Sequence, residues 1–212
     1  MMLKRFIDLE DGATMVEMAI ALTLLLTLTL GFVDFGYAFY QWNAATKAVQ
    51  VGARLASISD PVASALANAA PIANPGAPVV AGAYGPFVCT YNNAGTGSCT
   101  NGGTFNAAAF SLIFRGDTAN TNDDACPMPV NQRPGMCQFF PGLQRQNVVV
   151  TYAATGLGYQ TRLGGPVPTI SVSLQNVNFQ FFFLGGLLGF GNITMPSMLS
   201  TVTGEDLKST SP

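Results

Sequence analysis

Residues Gly12 to Tyr40 read GATMVEMAIALTLLLTLTLGFVDFGYAFY, and no charge occurs between Glu17 and Asp34. The stretch is longer than the ~20 apolar residues that cross the ~30 Å hydrocarbon core of a bilayer. It contains no proline, and a segment alone in lipid must satisfy its own backbone hydrogen bonds, so it reads as a single membrane-spanning α-helix. Glu17, set inside the run, is the exception. An unpaired carboxylate there is costly at the membrane centre and less so at its edge, so it needs either a partner or the interface.

Beyond the run, Tyr37, Phe39, Tyr40 and Trp42 cluster as rings with an apolar body and a polar edge do at the membrane interface, which places the water boundary near Trp42. Ala45, Val49, Gly52 and Ala56 then recur at helical spacing, with Asn43, Lys47, Gln50 and Arg54 on another face. The spacing predicts that the helix leaves the membrane with one side packed on protein. From Ala13 to Ser57 it would be about 65 Å long. Small residues such as Ala48 and Gly52 are read as ordinary close packing, and Asp34 as a carboxylate near enough to the outer interface to reach water. On the other side, MMLKRFIDLEDG carries Lys4 and Arg5, which favour a cytoplasmic N-terminus, although Lys47 and Arg54 beyond the span make that bias slight. A secretory signal peptide is the alternative, but its apolar core should be shorter, and no A-x-A site follows Val33.

The run Gly12-Ala13-Thr14-Met15-Val16-Glu17 resembles a type IV prepilin signal, in which a prepilin peptidase cuts after the glycine and the fifth mature residue is glutamate. Gly12 to Ser57, with its Asp34-Phe35-Gly36 and its VGARLAS ending, resembles the N-terminal region of TadE-like proteins, minor pilin-like components of the tight-adherence (Flp) pilus machinery. The likeness is weaker near the C-terminus and absent between. Met18 stands where processed Flp-type pilins often carry an aromatic. The resemblance implies processing at Gly12, Ala13 and Glu17, and subunit-assembly positions at Glu17 and Asp34, the second being where the family carries an acidic residue. It also implies partners: membrane lipid, prepilin peptidase, other pilin-like subunits and inner-membrane pilus-assembly proteins. Cleavage would leave a positive α-amino group at Ala13, about one helical turn from Glu17, and the two charges would neutralise each other within or between chains.

The chain has 212 residues, of which 49% are hydrophobic and 9% charged, with 23 Gly and 13 Pro. That composition is folded and turn-rich, and it leaves one domain of ordinary size beyond the helix. A net charge of −2 with 9 basic residues and no basic cluster argues against nucleic acid. The absence of histidine removes the commonest general base and the commonest metal ligand. No phosphate loop, nucleophile elbow or paired catalytic carboxylates are visible. An enzyme is not expected, and no cofactor is implied.

Asp60-Pro61 ends the long helix and is placed to cap a short second one over Ala63 to Ala70. Strand patterns are weak over Val79 to Tyr91, recur at Phe110 to Phe114, and are clearest at Asn147 to Ala153. From Thr169 to Phe183 the alternation changes phase, which predicts a bulge or bend at Gln175-Asn176. Met198 to Val202 reads as an edge strand before a polar tail. Phe179 to Phe190, FQFFFLGGLLGF, is too short to span a bilayer. It is either a strand end and loop packed on the sheet or a loop entering the membrane or a neighbouring subunit.

Four cysteines in a region placed outside the cytoplasm favour disulfides. Of the three possible pairings, the local one, Cys89 with Cys99 and Cys126 with Cys137, closes two Gly- or Pro-containing loops and is the one expected. Zinc is the rival, but no CxxC pair and no histidine support it. The oxygen-rich run Asp117 to Asp124 lacks the glycine of an EF-hand and reads as turns rather than a calcium site. Asn192-Ile193-Thr194 is a glycosylation triplet with meaning only in a eukaryotic secretory context.

The sequence therefore predicts an α+β protein: a cytoplasmic leader over 1–12, a long helix over 13–59 with its membrane span at about 15–40, and a mostly antiparallel extracytoplasmic head over 60–212. With the resemblance, this is a single-pass protein of a bacterial inner membrane, its C-terminal domain periplasmic or extracellular, acting as a minor pilin or pilus-assembly component. The alternatives are a permanently anchored secretion or assembly accessory that never enters a filament, and an extracytoplasmic binding module.

Overall fold

Helix α1 runs without interruption from Glu10 to Ser57. Its first part has a mean hydropathy of 2.1 over the most apolar window, and only 6% of that window is buried. This exposure is the opposite of a soluble core helix, and the helix is long and apolar enough to cross a membrane. The threonines that dilute its leucines return their hydroxyls to the helix: Thr23 donates to Ala19 O at 2.8 Å, Thr27 to Thr23 O at 2.8 Å and Thr29 to Leu26 O at 2.9 Å, so these three hydroxyls are satisfied within α1. At the far end Ser57 donates to Arg54 O and Ser59 to Leu55 O, occupying carbonyls that have no helical partner. Pro61 then disfavours helical backbone at Asp60.

The computed structural model describes residues 10–69, 74–116, 123–127, 133–160, 165–189 and 193–204. The leader through residue 9, most of the Asp117 to Asp124 run and Asn192 of the glycosylation triplet lie outside these. The chain forms two compact units: Met1–Gln41 with Asn178–Ile193, and Trp42–Val177 with Thr194–Pro212.

The second unit holds an antiparallel five-stranded sheet, which makes the protein α+β. Its strands are β1 (Phe87–Tyr91), β2 (Gly97–Cys99), β3 (Val148–Ala153), β4 (Thr169–Leu174) and β5 (Leu199–Thr203), in the order β2-β1-β3-β4-β5. Register places Phe87 opposite Tyr152 and Tyr152 opposite Ile170, then Cys89 opposite Val150 and Val150 opposite Val172. All of these are buried, so the period-two pattern aligns one apolar face across three strands. The outer part of α1 buries Ala45, Ala48, Val49, Gly52 and Ala56 and exposes Asn43, Lys47, Gln50 and Arg54, as its periodicity predicts. The Met136 side chain lies so close to Gly52 that a Cβ there would collide with it, a packing role for a small residue.

Several local expectations are corrected. Phe110 to Phe114 is not a strand but part of helix α2 (Ala107–Arg115). Asn106 caps it by accepting from Ala109 N–H, and Gly116 at φ 79° ends it. Phe110 and Phe114 alternate as in a strand, but they are also four apart, and the cap and glycine decide for the helix. The turn after α1 is a short 3₁₀ segment, Ser64–Asn68, begun by Ala63 rather than capped by Asp60. An isolated bridge from Ala63 to Phe105 keeps Ala63 extended. β1 starts at Phe87, not Val79, and β4 stops at Leu174 rather than running to Phe183. The bend falls where the phase change puts it: Asn176 is left-handed at φ 54°, and Asn147 Nδ2 holds the carbonyls of Gln175 and Asn176. One-turn helix α3 (Met136–Phe139) completes this unit, and α4 (Leu184–Leu188) belongs to the first.

Candidate functional site, a carboxylate clasp on the apolar helix

Within the first unit the only charged side chain between Met18 and Gln41, Asp34, is completely buried. Its Oδ1 accepts the N–H of Phe182 at 3.0 Å, and its Oδ2 accepts those of Phe183 at 2.9 Å and Leu184 at 2.6 Å. These donors stand at the start of α4, where the first N–H groups of any helix lack intrahelical acceptors. Phe183, the cap residue, supplies no side-chain hydrogen bond, so a carboxylate from another element does this work. Negative charge at a helix start is also favoured by the backbone dipoles.

Seven residues on, and on the same face of α1, Gln41 is 5% exposed. Its Nε2 donates to Gln180 O at 2.9 Å, and its Oε1 accepts Gln180 N–H at 3.0 Å. The segment therefore runs along α1 towards its N-terminus: Gln180 at Gln41, Phe182 to Leu184 at Asp34, and the Leu184 side chain beside Gly31. Rings fill the flanks. Tyr37 meets Phe182 at 4.8 Å between centroids, Phe35 meets Phe181 at 6.5 Å, and Tyr37 stacks on Tyr40 at 6.1 Å. Phe179 to Phe190 thus belongs with α1 and not with the sheet, as far as its described residues go.

The other residues singled out from the sequence are scattered. Gly12, Ala13 and Glu17 are exposed on the first turns of α1, and the helix passes through the Gly12–Ala13 bond. Glu17 and Asp34 are about 25 Å apart along the axis at 1.5 Å per residue and share no site. Tyr40 is exposed, Tyr37 half-buried, and Trp42 falls in the other unit. Both local disulfides form, Cys89 with Cys99 and Cys126 with Cys137. No thiol among the described residues is left for zinc.

A polar hollow of about 460 Å³ in the sheet-bearing unit is bordered by Asp123, Asp124 and Arg145. Its charges are engaged with one another. Arg145 pairs with Asp124 at 2.8 Å and lies over the Tyr91 ring. Arg115 pairs with Asp123 at 2.9 Å, and Ser111 donates to the same carboxylate. Burial raises the Asp123 carboxyl above its usual range while the bonds from Ser111 and Arg115 pull it down.

The apolar helix bearing Gly12, Glu17 and Asp34 is the segment that comparison picks out. Residues 12–54 match the TadE-like protein family. No curated protein and no solved structure matches the chain. The TadE-like segment contains Asp34 and Gln41 but not the strand of chain they hold, residues 180–184. Gln41 and the backbone donors escaped the sequence reading. The available signal was two polar residues seven apart on an otherwise apolar face, together with a distant second apolar run.

Proposed function

We propose that the chain is a membrane-anchored TadE-like component of the tight-adherence pilus machinery, acting as a minor pilin with a structural rather than catalytic role. The observation that carries this is the TadE-like match over residues 12–54, on a helix whose apolar part is almost wholly exposed. In this reading the N-terminus is cytoplasmic, the sheet-bearing part extracytoplasmic, and lipid surrounds α1. Prepilin peptidase cuts between Gly12 and Ala13, and Glu17 pairs with the new α-amino group within the chain or across to a neighbouring pilin-like subunit. N-terminal sequencing of protein extracted from membranes with active peptidase should begin at Ala13, and Gly12→Leu should block the cut. Glu17→Gln should insert and be processed normally while giving several-fold fewer crosslinks to pilin-like and inner-membrane assembly partners. Equal crosslinking would make Glu17 a passive interfacial residue.

One observation favours the alternative of a permanently anchored accessory. The face of α1 bearing Asp34 and Gln41 is already covered by residues 180–184, which leaves less helix surface for bundling with other pilin helices. An intact Met1 in cells with active peptidase would decide for that reading.

A further inference from the structure

We propose that the segment Phe179 to Leu188 is a second membrane element, immersed in the hydrocarbon of the outer leaflet alongside α1, with lipid acyl chains as its partner. This rests on the reading of α1 as a transmembrane anchor. If the water boundary lies at Trp42, Asp34 is eight residues inward, about 12 Å along the axis, and Gly31, beside which the Leu184 side chain lies, is about 16 Å inward. The segment held there is therefore at hydrocarbon depth.

Three features fit that solvent. First, irregular backbone persists in a membrane only where its polar groups are satisfied within protein. Here the N–H groups of Gln180, Phe182, Phe183 and Leu184 and the carbonyl of Gln180 are taken by Gln41 and Asp34, and Phe179 N–H by Ile193 O. Second, the same bonds resolve the placing of Asp34, since an intramembrane carboxylate needs compensation from within the protein and three N–H donors supply it without a countercharge. Third, what the segment turns outward is apolar. Phe182 is 60% and Phe183 42% exposed, and through Phe181 and Phe182 the segment meets Phe35, itself exposed, and Tyr37 on α1. No charged residue occurs between Arg162 and Glu205. In water this would be an exposed aromatic patch, whereas against acyl chains it continues the apolar surface of α1.

The chain's single tryptophan makes the test direct. Full-length protein carrying Trp42→Phe with Phe182→Trp, or with Phe183→Trp, is reconstituted into phosphatidylcholine vesicles with acyl chains brominated near the headgroup or near the methyl end. A control carries Trp42→Phe with Leu25→Trp in the middle of α1. Blue-shifted emission at position 182 or 183, quenched mostly by bromine and little by aqueous iodide, is the expected result. Adding Asp34→Asn should reverse that preference while the Leu25→Trp control stays lipid-quenched. Iodide quenching at both loop positions with a lipid-quenched control would overturn the proposal and leave the anchor intact. Shielding from both quenchers would overturn it in favour of a protein partner, such as a second copy. A control that is not lipid-quenched would remove the anchor reading and the proposal with it. Unchanged loop quenching in the Asp34→Asn protein would remove Asp34 as the holding group.

Discussion

Two buried tyrosines separate a hydroxyl that holds the fold from one that strains it. Tyr152, fully buried on β3, accepts the N–H of Val62 at 3.0 Å. Tyr152→Phe leaves that donor without an acceptor, a loss of about 1–3 kcal/mol readable as a lower urea midpoint of the full chain in detergent. Tyr84 is 9% exposed, and its hydroxyl has no hydrogen-bond partner among the described residues. Tyr84→Phe should therefore be neutral or stabilising. Burial pushes the Tyr84 phenol up to about 12 and also raises that of Tyr152, although its bond from Val62 opposes the shift. The folded state thus keeps protons that the unfolded chain releases near pH 10. Stability is full below that pH and falls as pH rises towards about 12, because the unfolded state then binds fewer protons than the native one. Alkaline unfolding followed by circular dichroism should start at higher pH in the Tyr84→Phe protein.

Helix α2 shows how an element can be misread from a pattern that two structures share. A strand over Phe110 to Phe114 would face Phe110, Leu112 and Phe114 inward, whereas the helix buries Phe110, Ile113 and Phe114 and leaves Leu112 half-exposed. Ile113→Ala should cost about 2–5 kcal/mol and Leu112→Ala clearly less, measured by thermal unfolding. Equal costs would mean that the helix assignment is wrong. Elements long enough to repeat their period were legible: α1 over thirteen turns, β3 over six residues, and the small-residue face from Ala45 to Ala56. The bend at Gln175-Asn176 was legible too, because a phase change leaves a trace in side chains. The clasp was not. Its donors are backbone N–H groups that any residue carries, and nothing in FQFFFLGG indicates that they lie against an aspartate 148 residues earlier.

At the scale of the whole chain, covalent links add to a sheet that is short at its β2 edge. Cys89 and Cys99 face each other directly across β1 and β2, with Cα atoms 4.1 Å apart. The flanking Thr100 donates its N–H to Val88 O, and Val88 N–H goes to the Thr100 hydroxyl, so the cysteines occupy a non-hydrogen-bonded pair, where side chains come closest. Replacing both by serine should lower stability by about 2–3 kcal/mol, the entropy of a loop of about ten residues. The expected readout is a lower urea midpoint, with a slope no shallower than before because the unfolded chain loses a crosslink. The distance in sequence between Asp34 and its donors has a consequence for biosynthesis. At 5–20 residues per second, roughly 7–30 seconds separate translation of the aspartate from that of Phe182. For that interval an apolar helix already leaving the ribosome carries an acid whose partners have not yet been made. If α1 is the membrane anchor proposed above, a nascent chain arrested before residue 182 should hold α1 close to the translocation pore, and its lateral release into lipid should be complete only once Phe182 to Leu184 have been made.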